Sequence, residues 1–200
     1  MKRLPTLLAM LLAGGAARAE VVNEPSTGHG FEASRADGGK SFTLVGTGVR
    51  KKFIVKVYAM GLYVESEGAK RASRGGDPQA FVAGGSFGKV AVLHFVRDVD
   101  AGKIQQAYRD GLEAELAEAS TKALAEAFVG AFDRDVKEGQ EIVVRTSGDG
   151  KISVAVAGSK KDVGQSARLA KAIWNIWLGA KPISPDMRKT LVERVDAIGR

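Results

Sequence analysis

The chain has 200 residues, 44% of them hydrophobic and 26% charged, with no cysteine, two histidines and a net charge of +7. That length and apolar fraction exclude a wholly disordered chain and suit one globular domain. The absence of cysteine removes disulfides, thiolate nucleophiles and cysteine-ligated metals, and two histidines alone, His29 and His94, name no zinc or haem site.

The first residues read MKRLPTLLAMLLAGGAARAE. Lys2 and Arg3 precede a short apolar run from Leu4 to Ala13, and Ala17-Arg18-Ala19 has the small-x-small form that signal peptidase accepts. The run is shorter than the roughly 20 apolar residues of a transmembrane helix. The expectation is a signal peptide over 1–19, a single domain over 20–200, and a periplasmic location with no membrane span in the mature chain. Cleavage leaves 181 residues (200 less 19) and lowers the charge from +7 to +4, because Lys2, Arg3 and Arg18 leave with no acid.

Residues 20 to 40 are polar and broken by Pro25 and several glycines, with a short strand expected near Phe31. Ser41 to Arg50 carries β-branched residues at strand density, and Lys51-Lys52 is expected to turn. From Phe53 to Val64 alternate residues form two faces, both largely apolar, which predicts a central strand covered on both sides. Glu65 to Ala83 reads as a connection with room for a helical turn, and Gly75-Gly76-Asp77-Pro78 within it would end any helix. Lys89 to Val96 is a compact apolar strand. Asp100 is a plausible N-cap for a helix with Ile104, Tyr108, Leu112 and Leu116 at i+4 spacing, and Ser120 is expected to cap a second helix. Glu141–Thr146 and Lys151–Val156 form a hairpin about Ser147-Gly-Asp-Gly150, with Lys160-Lys161 read as a turn. Ser166–Leu178 and Pro185–Ile198 are closing helices. Strands, helices, a hairpin and more helices in that order predict an α+β fold, with helices on one face of an antiparallel sheet.

Gly46-Thr47-Gly48 lacks the third glycine and the following helix of a dinucleotide fingerprint. Its simpler reading is that something approaches this strand closely. No nucleotide-binding, nucleophile-elbow or zinc-protease motif is present. The basic residues are scattered without interleaved aromatics, which argues against nucleic acid. His94 lies in an apolar strand and reads as a core or edge residue; His29 lies in a glycine-rich stretch and reads as solvated.

Arg50 ends one strand and Tyr58 lies in the next, so a tight hairpin brings them near each other. A guanidinium fork with a phenol beside it can hold a carboxylate whose apolar tail enters the core. An exposed hairpin arginine beside a core tyrosine is the other reading of the same pair.

Three blocks together resemble the chalcone isomerase-like family, and more closely its bacterial exported branch. They are Leu44-Val-Gly-Thr-Gly-Val-Arg50 running into Lys56-Val-Tyr-Ala-Met-Gly-Leu-Tyr-Val64; Phe87-Gly-Lys89 with its strand and the helix from Asp100; and Ile176-Trp-Leu-Gly-Ala-Lys-Pro-Ile-Ser-Pro185. The resemblance implies an open-faced β-sandwich, a large antiparallel sheet with helices on one face and a ligand cleft between. It implies Arg50 in the cleft, catalytic if the chain is an enzyme. The plant isomerases carry a threonine where Tyr58 stands, and a tyrosine and an asparagine where Ile104 and Gly111 stand. The fatty-acid-binding branch pairs the same arginine with a tyrosine, which Arg50 and Tyr58 match.

The resulting expectation is a non-catalytic periplasmic binder of an amphipathic carboxylate such as a fatty acid, or of another hydrophobic ligand, through Arg50 and Tyr58. Met60, Leu62 and the helix bearing Trp174 and Trp177 would line or support the cavity. No cofactor, metal or nucleic acid is expected. The alternatives are an intramolecular lyase of chalcone-like enones and a ligand-free interaction module.

Overall fold

The structure is a computed structural model, and it describes residues 20–72, 74 and 76–198. The signal peptide expected over 1–19 lies outside the described residues.

A two-stranded ribbon comes first, β1 (Val21–Asn23) with β2 (Gly30–Glu32). Seven strands then form one antiparallel sheet in chain order: β3 (Ser34–Asp37), β4 (Lys40–Lys52), β5 (Val55–Glu65), β6 (Lys89–Phe95), β7 (Glu141–Thr146), β8 (Lys151–Val156) and β9 (Ser159–Gln165). β3 and β9 are its two borders. Among the helices, α1 (Ser66–Ala72) and α2 (Pro78–Gly84) join β5 to β6, with Asp77 capping α2 through the Ala80 N–H at 3.0 Å. α3 (Ala101–Gly111), α4 (Glu113–Ala117) and α5 (Lys122–Gly130) join β6 to β7. α6 (Ala167–Leu178), α7 (Pro185–Thr190) and α8 (Val195–Ile198) close the chain. No described helix is long and apolar enough to cross a membrane.

The α+β reading holds, and β5 is the covered central strand that its two apolar faces demand. Tyr58, Met60, Leu62 and Val64 pack with the helices into the main core. Ala59 and Tyr63 pack on the other side with Phe31, Phe42, Leu44, Val90 and Val92, where the β1–β2 ribbon lies. α6 buries one stripe of large side chains, including Leu169, Ile173, Trp174 and Trp177, against the sheet. Its N-terminus is set by Ser166, whose hydroxyl accepts from the Leu169 N–H at 3.2 Å.

Four expectations are corrected. β4 continues through Lys51-Lys52, and the turn is Phe53-Ile54, with Phe53 in the left-handed region at φ 56°. Lys160-Lys161 lies inside β9; the turn is Ala157-Gly158, at φ 48° and 83°. The helix bearing Leu124, Phe128 and Val129 is α5, which starts after Thr121 rather than Ser120 with the short α4 before it, and the connection after β5 holds two full helices.

The Gly46-Thr-Gly48 pair serves close approach. With the bulge near Val45, Gly46, Gly48 and Arg50 stand opposite Leu62, Met60 and Tyr58, all on the helical face. A Cβ at Gly46 would lie 2.3 Å from both the Thr190 carbonyl oxygen and the Leu191 carbonyl carbon. A Cβ at Gly48 would lie 2.9 Å from the Met187 side chain. The absent side chains let the end of α7 rest directly on β4. The next residue on that face is Arg50, opposite Tyr58.

Lys89 opens β6 at only 3% exposure, its ammonium donating to the Gly85 carbonyl at 2.6 Å and lying 4.7 Å from the Phe87 ring centroid. Burial pulls it from 10.5 down to about 8. The unfolded chain therefore holds this proton more tightly than the native state. The cost of burying the charge is fully present below pH 8 and is relieved as pH rises toward 10.5. Stability relative to a Lys89→Met variant should rise across that window by as much as about 3 kcal/mol. Urea melts of both proteins between pH 7 and 10 check this; parallel curves would refute it.

Candidate ligand-binding site

Between the sheet and the α3 and α6 helices lies a cavity of about 1000 Å³. That is the upper end of the range for sites that take drug-sized ligands. Its walls are mostly apolar: Val57, Leu93, Phe95, Ile142, Ile104, Tyr108, Ile176, Trp177 and Ile183. Five cationic side chains, Arg50, Lys52, Arg97, Lys103 and Lys181, also border it, against two acids, Asp98 and Asp110. Both acids are engaged elsewhere. Asp98 pairs with Lys137 at 3.1 Å and accepts from the Glu138 N–H at 2.9 Å, while Asp110 accepts from Gln106 at 2.7 Å. Lys103 is likewise paired, with Asp100, so the cationic excess of this apolar lining comes from Arg50, Lys52, Arg97 and Lys181, and it suits an anion with a hydrophobic body.

Arg50 and Tyr58 are direct cross-strand partners in the β4–β5 register, so their side chains leave the sheet on the same face. Both line the cavity. Arg50 is half-buried, and one guanidinium nitrogen donates to the Lys51 carbonyl. Among the described residues no carboxylate pairs with it.

Tyr58 is buried, and its hydroxyl accepts from the Trp177 indole N–H at 3.1 Å. Burial raises its pKa above the ordinary phenol value, only partly offset by the Trp177 hydrogen bond and the Arg50 charge. The neighbouring Tyr108 is pushed well above 10 by burial and by Tyr58. Both phenols stay protonated at neutral pH. The indole uses an acceptor site of the Tyr58 oxygen, and among the described residues the hydroxyl donates to no protein group. Its proton is available to a ligand beside the guanidinium. A Tyr58→Phe variant strands the buried Trp177 N–H without an acceptor. It should lose about 1–3 kcal/mol of stability, measurable as a lower urea midpoint with an unchanged slope.

Residues 26–192 match the family described as chalcone isomerase-like. The chain belongs to the chalcone isomerase-like family. No curated protein sequence matches it. Among solved structures it is similar to a fatty-acid binding protein of Arabidopsis thaliana, with a TM-score of 0.72 at 22% identity over 90% of this chain and 99% of the other. At that identity the likeness shows the fold, a curled antiparallel sheet with helices on one face.

Arg50, Tyr58, Ile104, Gly111 and Trp177 all border the cavity. Met60, Leu62 and Trp174 do not; they are fully buried in the adjoining core, and Trp174 donates to Thr146 at 2.8 Å. Ile104 and Gly111 present no polar side-chain atom. Arg97, Lys103 and Lys181 were not legible as site residues, because nothing in their local sequence distinguishes a rim cation from any surface cation.

The reading of His29 as solvated is corrected. His29 is half-buried, and its ring stacks on that of His94 at 3.6 Å between centroids and 11° between planes. His94 is also the register partner of Glu141, with Nδ1 at 3.8 Å from the carboxylate. Burial and the neighbouring His94 lower the His29 pKa, against the pull of Glu141. The three residues lie on the sheet face opposite the cavity, beside Val90 and Val92.

Proposed function

We propose that this chalcone isomerase-like protein is an exported, non-catalytic binder of an amphipathic carboxylate such as a fatty acid. The observation that carries the reading is the register pair Arg50–Tyr58, a fixed charge and a free phenol proton side by side at an apolar cavity of about 1000 Å³. In this reading the guanidinium fork and the Tyr58 hydroxyl hold the carboxylate, and the acyl chain lies between Phe95, Ile104 and Ile176. A desolvated, charge-assisted hydrogen bond of this kind is roughly twice as strong as a neutral one. The fatty-acid binding neighbour from Arabidopsis supports the ligand class by its fold.

A lyase acting on chalcone-like enones would have Arg50 to stabilise a phenolate or enolate. At Ile104 and Gly111 it would have no side chain able to orient a water or hydrogen-bond the substrate, so binding without chemistry is the better fit. A ligand-free interaction module would be expected to fill the cavity with its own side chains.

Native mass spectrometry of protein purified from cells tests the reading. A co-purifying lipid carboxylate is expected, and it should be lost in Arg50→Ala; a bare protein that also fails to bind palmitate on titration would sink it. Export to the periplasm rests on the leader from Lys2 to Ala19. The mature protein should begin at Glu20, as read from the mass of periplasmic material; an intact Met1 terminus would refute cleavage.

A further inference from the structure

The tip of the β4–β5 hairpin breaks two rules at once. Phe53 and Ile54, at 91% and 92% exposure, are among the few large apolar side chains left in solvent. They also form the turn itself, with only Phe53 in the left-handed region, at φ 56°, the first position of a two-residue turn, where glycine is favoured and a bulky residue is strained. Neither folding nor solubility accounts for them. Beside them stand Lys51 and Lys52, both exposed, and Lys56, whose ammonium donates to the Ser26 carbonyl. Lys52, Phe53 and Val55 also border the cavity, so the tip stands at its mouth.

We propose that this tip docks on an anionic lipid bilayer. Phe53 and Ile54 enter the boundary between headgroups and acyl chains, and Lys51 and Lys52 meet the lipid phosphates. Apolar side chains flanked by lysines are the complement of that boundary and of its charge. Resting on the carboxylate-binding reading, the docking further implies that the ligand passes between the bilayer and the cavity at this mouth. Co-sedimentation with phosphatidylcholine vesicles, with and without phosphatidylglycerol, tests it. The protein should pellet with the anionic vesicles, less so with neutral ones, and less again as salt rises. Phe53→Gly/Ile54→Asn puts glycine at the one left-handed position of the turn, so the variant should melt at the same or a higher temperature. Its vesicle partitioning should fall about tenfold or more. No pelleting of the wild type, or equal pelleting of the variant, overturns the proposal. Palmitate titration without vesicles reads the cavity separately, so the two ideas fail independently.

A different observation carries a second site. The donor atoms of His29, His94 and Glu141 all lie within 4.8 Å of one another, and His94 Nδ1 is buried with no hydrogen-bond partner. Two imidazoles and a carboxylate suit zinc and its first-row neighbours rather than calcium or magnesium. The geometry points to a three-ligand site for a divalent transition ion, completed by water. Ligands about 2.0–2.1 Å from a tetrahedral ion sit closer together than this. The two rings are stacked parallel, so the adjustment is a rotation of the His29 ring, between Gly28 and Gly30, that turns its in-plane lone pair toward the one on His94. Calorimetry with Zn²⁺ on protein lacking any histidine tag should give one saturable site, weakened about tenfold or more by His29→Gln and by Glu141→Gln. Both positions are partly exposed, so the variants should keep the native melting temperature without metal. No saturable binding, or variants that bind like wild type, overturns the site.

Discussion

Arg50→Ala should weaken palmitate binding by about 10- to 150-fold, the loss of a charge-assisted hydrogen bond of about 1.5–3 kcal/mol. The direction follows from the cavity's construction. Its walls supply apolar contact for any hydrophobic body, and the register pair Arg50–Tyr58 places a fixed charge where it meets a carboxylate. Arg50→Lys keeps the charge but loses the planar fork, so its affinity should fall between wild type and Arg50→Ala. Palmitate methyl ester should bind wild type as weakly as palmitate binds Arg50→Ala. Arg50 is half-exposed and without a carboxylate partner among the described residues, so its removal should leave the urea midpoint nearly unchanged. Fluorescence titration of the three proteins with both ligands decides the matter. Equal affinity for acid and ester in wild type would show that the guanidinium does not read the carboxylate.

The second large effect is expected at Gly46. Gly46→Ala should destabilise the fold by more than about 3 kcal/mol, beyond the ordinary range for a single substitution. The atoms a Cβ would meet, 2.3 to 2.5 Å away, are backbone atoms of Thr190 and Leu191, which have no rotamer to move into. Relief requires the end of α7 to lift from β4, unpacking Met187, Leu191 and Val195, each at 2% exposure or less. Gly102→Ala is the matched control. That glycine sits in α3 with nothing within 4 Å of its would-be Cβ, so alanine should stabilise by about 0.5–1 kcal/mol. Urea midpoints moving in opposite directions would separate a packing role from the general cost of glycine. A Gly46→Ala protein as stable as wild type would mean that the helix end is not held against the strand.

The parts of the fold visible in sequence are those whose burial imposes a period. β5 is apolar on both faces because it is covered on both, β6 is a solid apolar run, and α6 repeats its large residues on one side. β9 escaped because it borders the sheet. Lys160, Lys161 and Asp162 alternate between half-buried and exposed positions and carry no apolar signature, and the turn that launches the strand is Ala157-Gly158, whose alanine gives no turn signal. α1 was hidden for a similar reason, with only small residues, Gly68, Ala69 and Ala72, facing inward. At the site, Arg50 and Tyr58 were legible because one hairpin links them. The Trp177 hydrogen bond to Tyr58 spans 119 residues, and the meeting of His29 with His94 needs the β1–β2 ribbon folded across the sheet; no local pattern encodes either.

An open sheet of seven strands has two unpaired borders, and each is a template on which another chain can add a strand. β3 offers only four residues, two of them Arg35 and Asp37. β9 offers a row of Lys160, Lys161 and Asp162, followed by an irregular register near Gly164. A second molecule approaching either border finds too short a partner or a charged and bent one. The same lysines that concealed β9 in the sequence stop the sheet from growing. The native protein should therefore stay free of fibrils at concentrations where an apolar border would seed them.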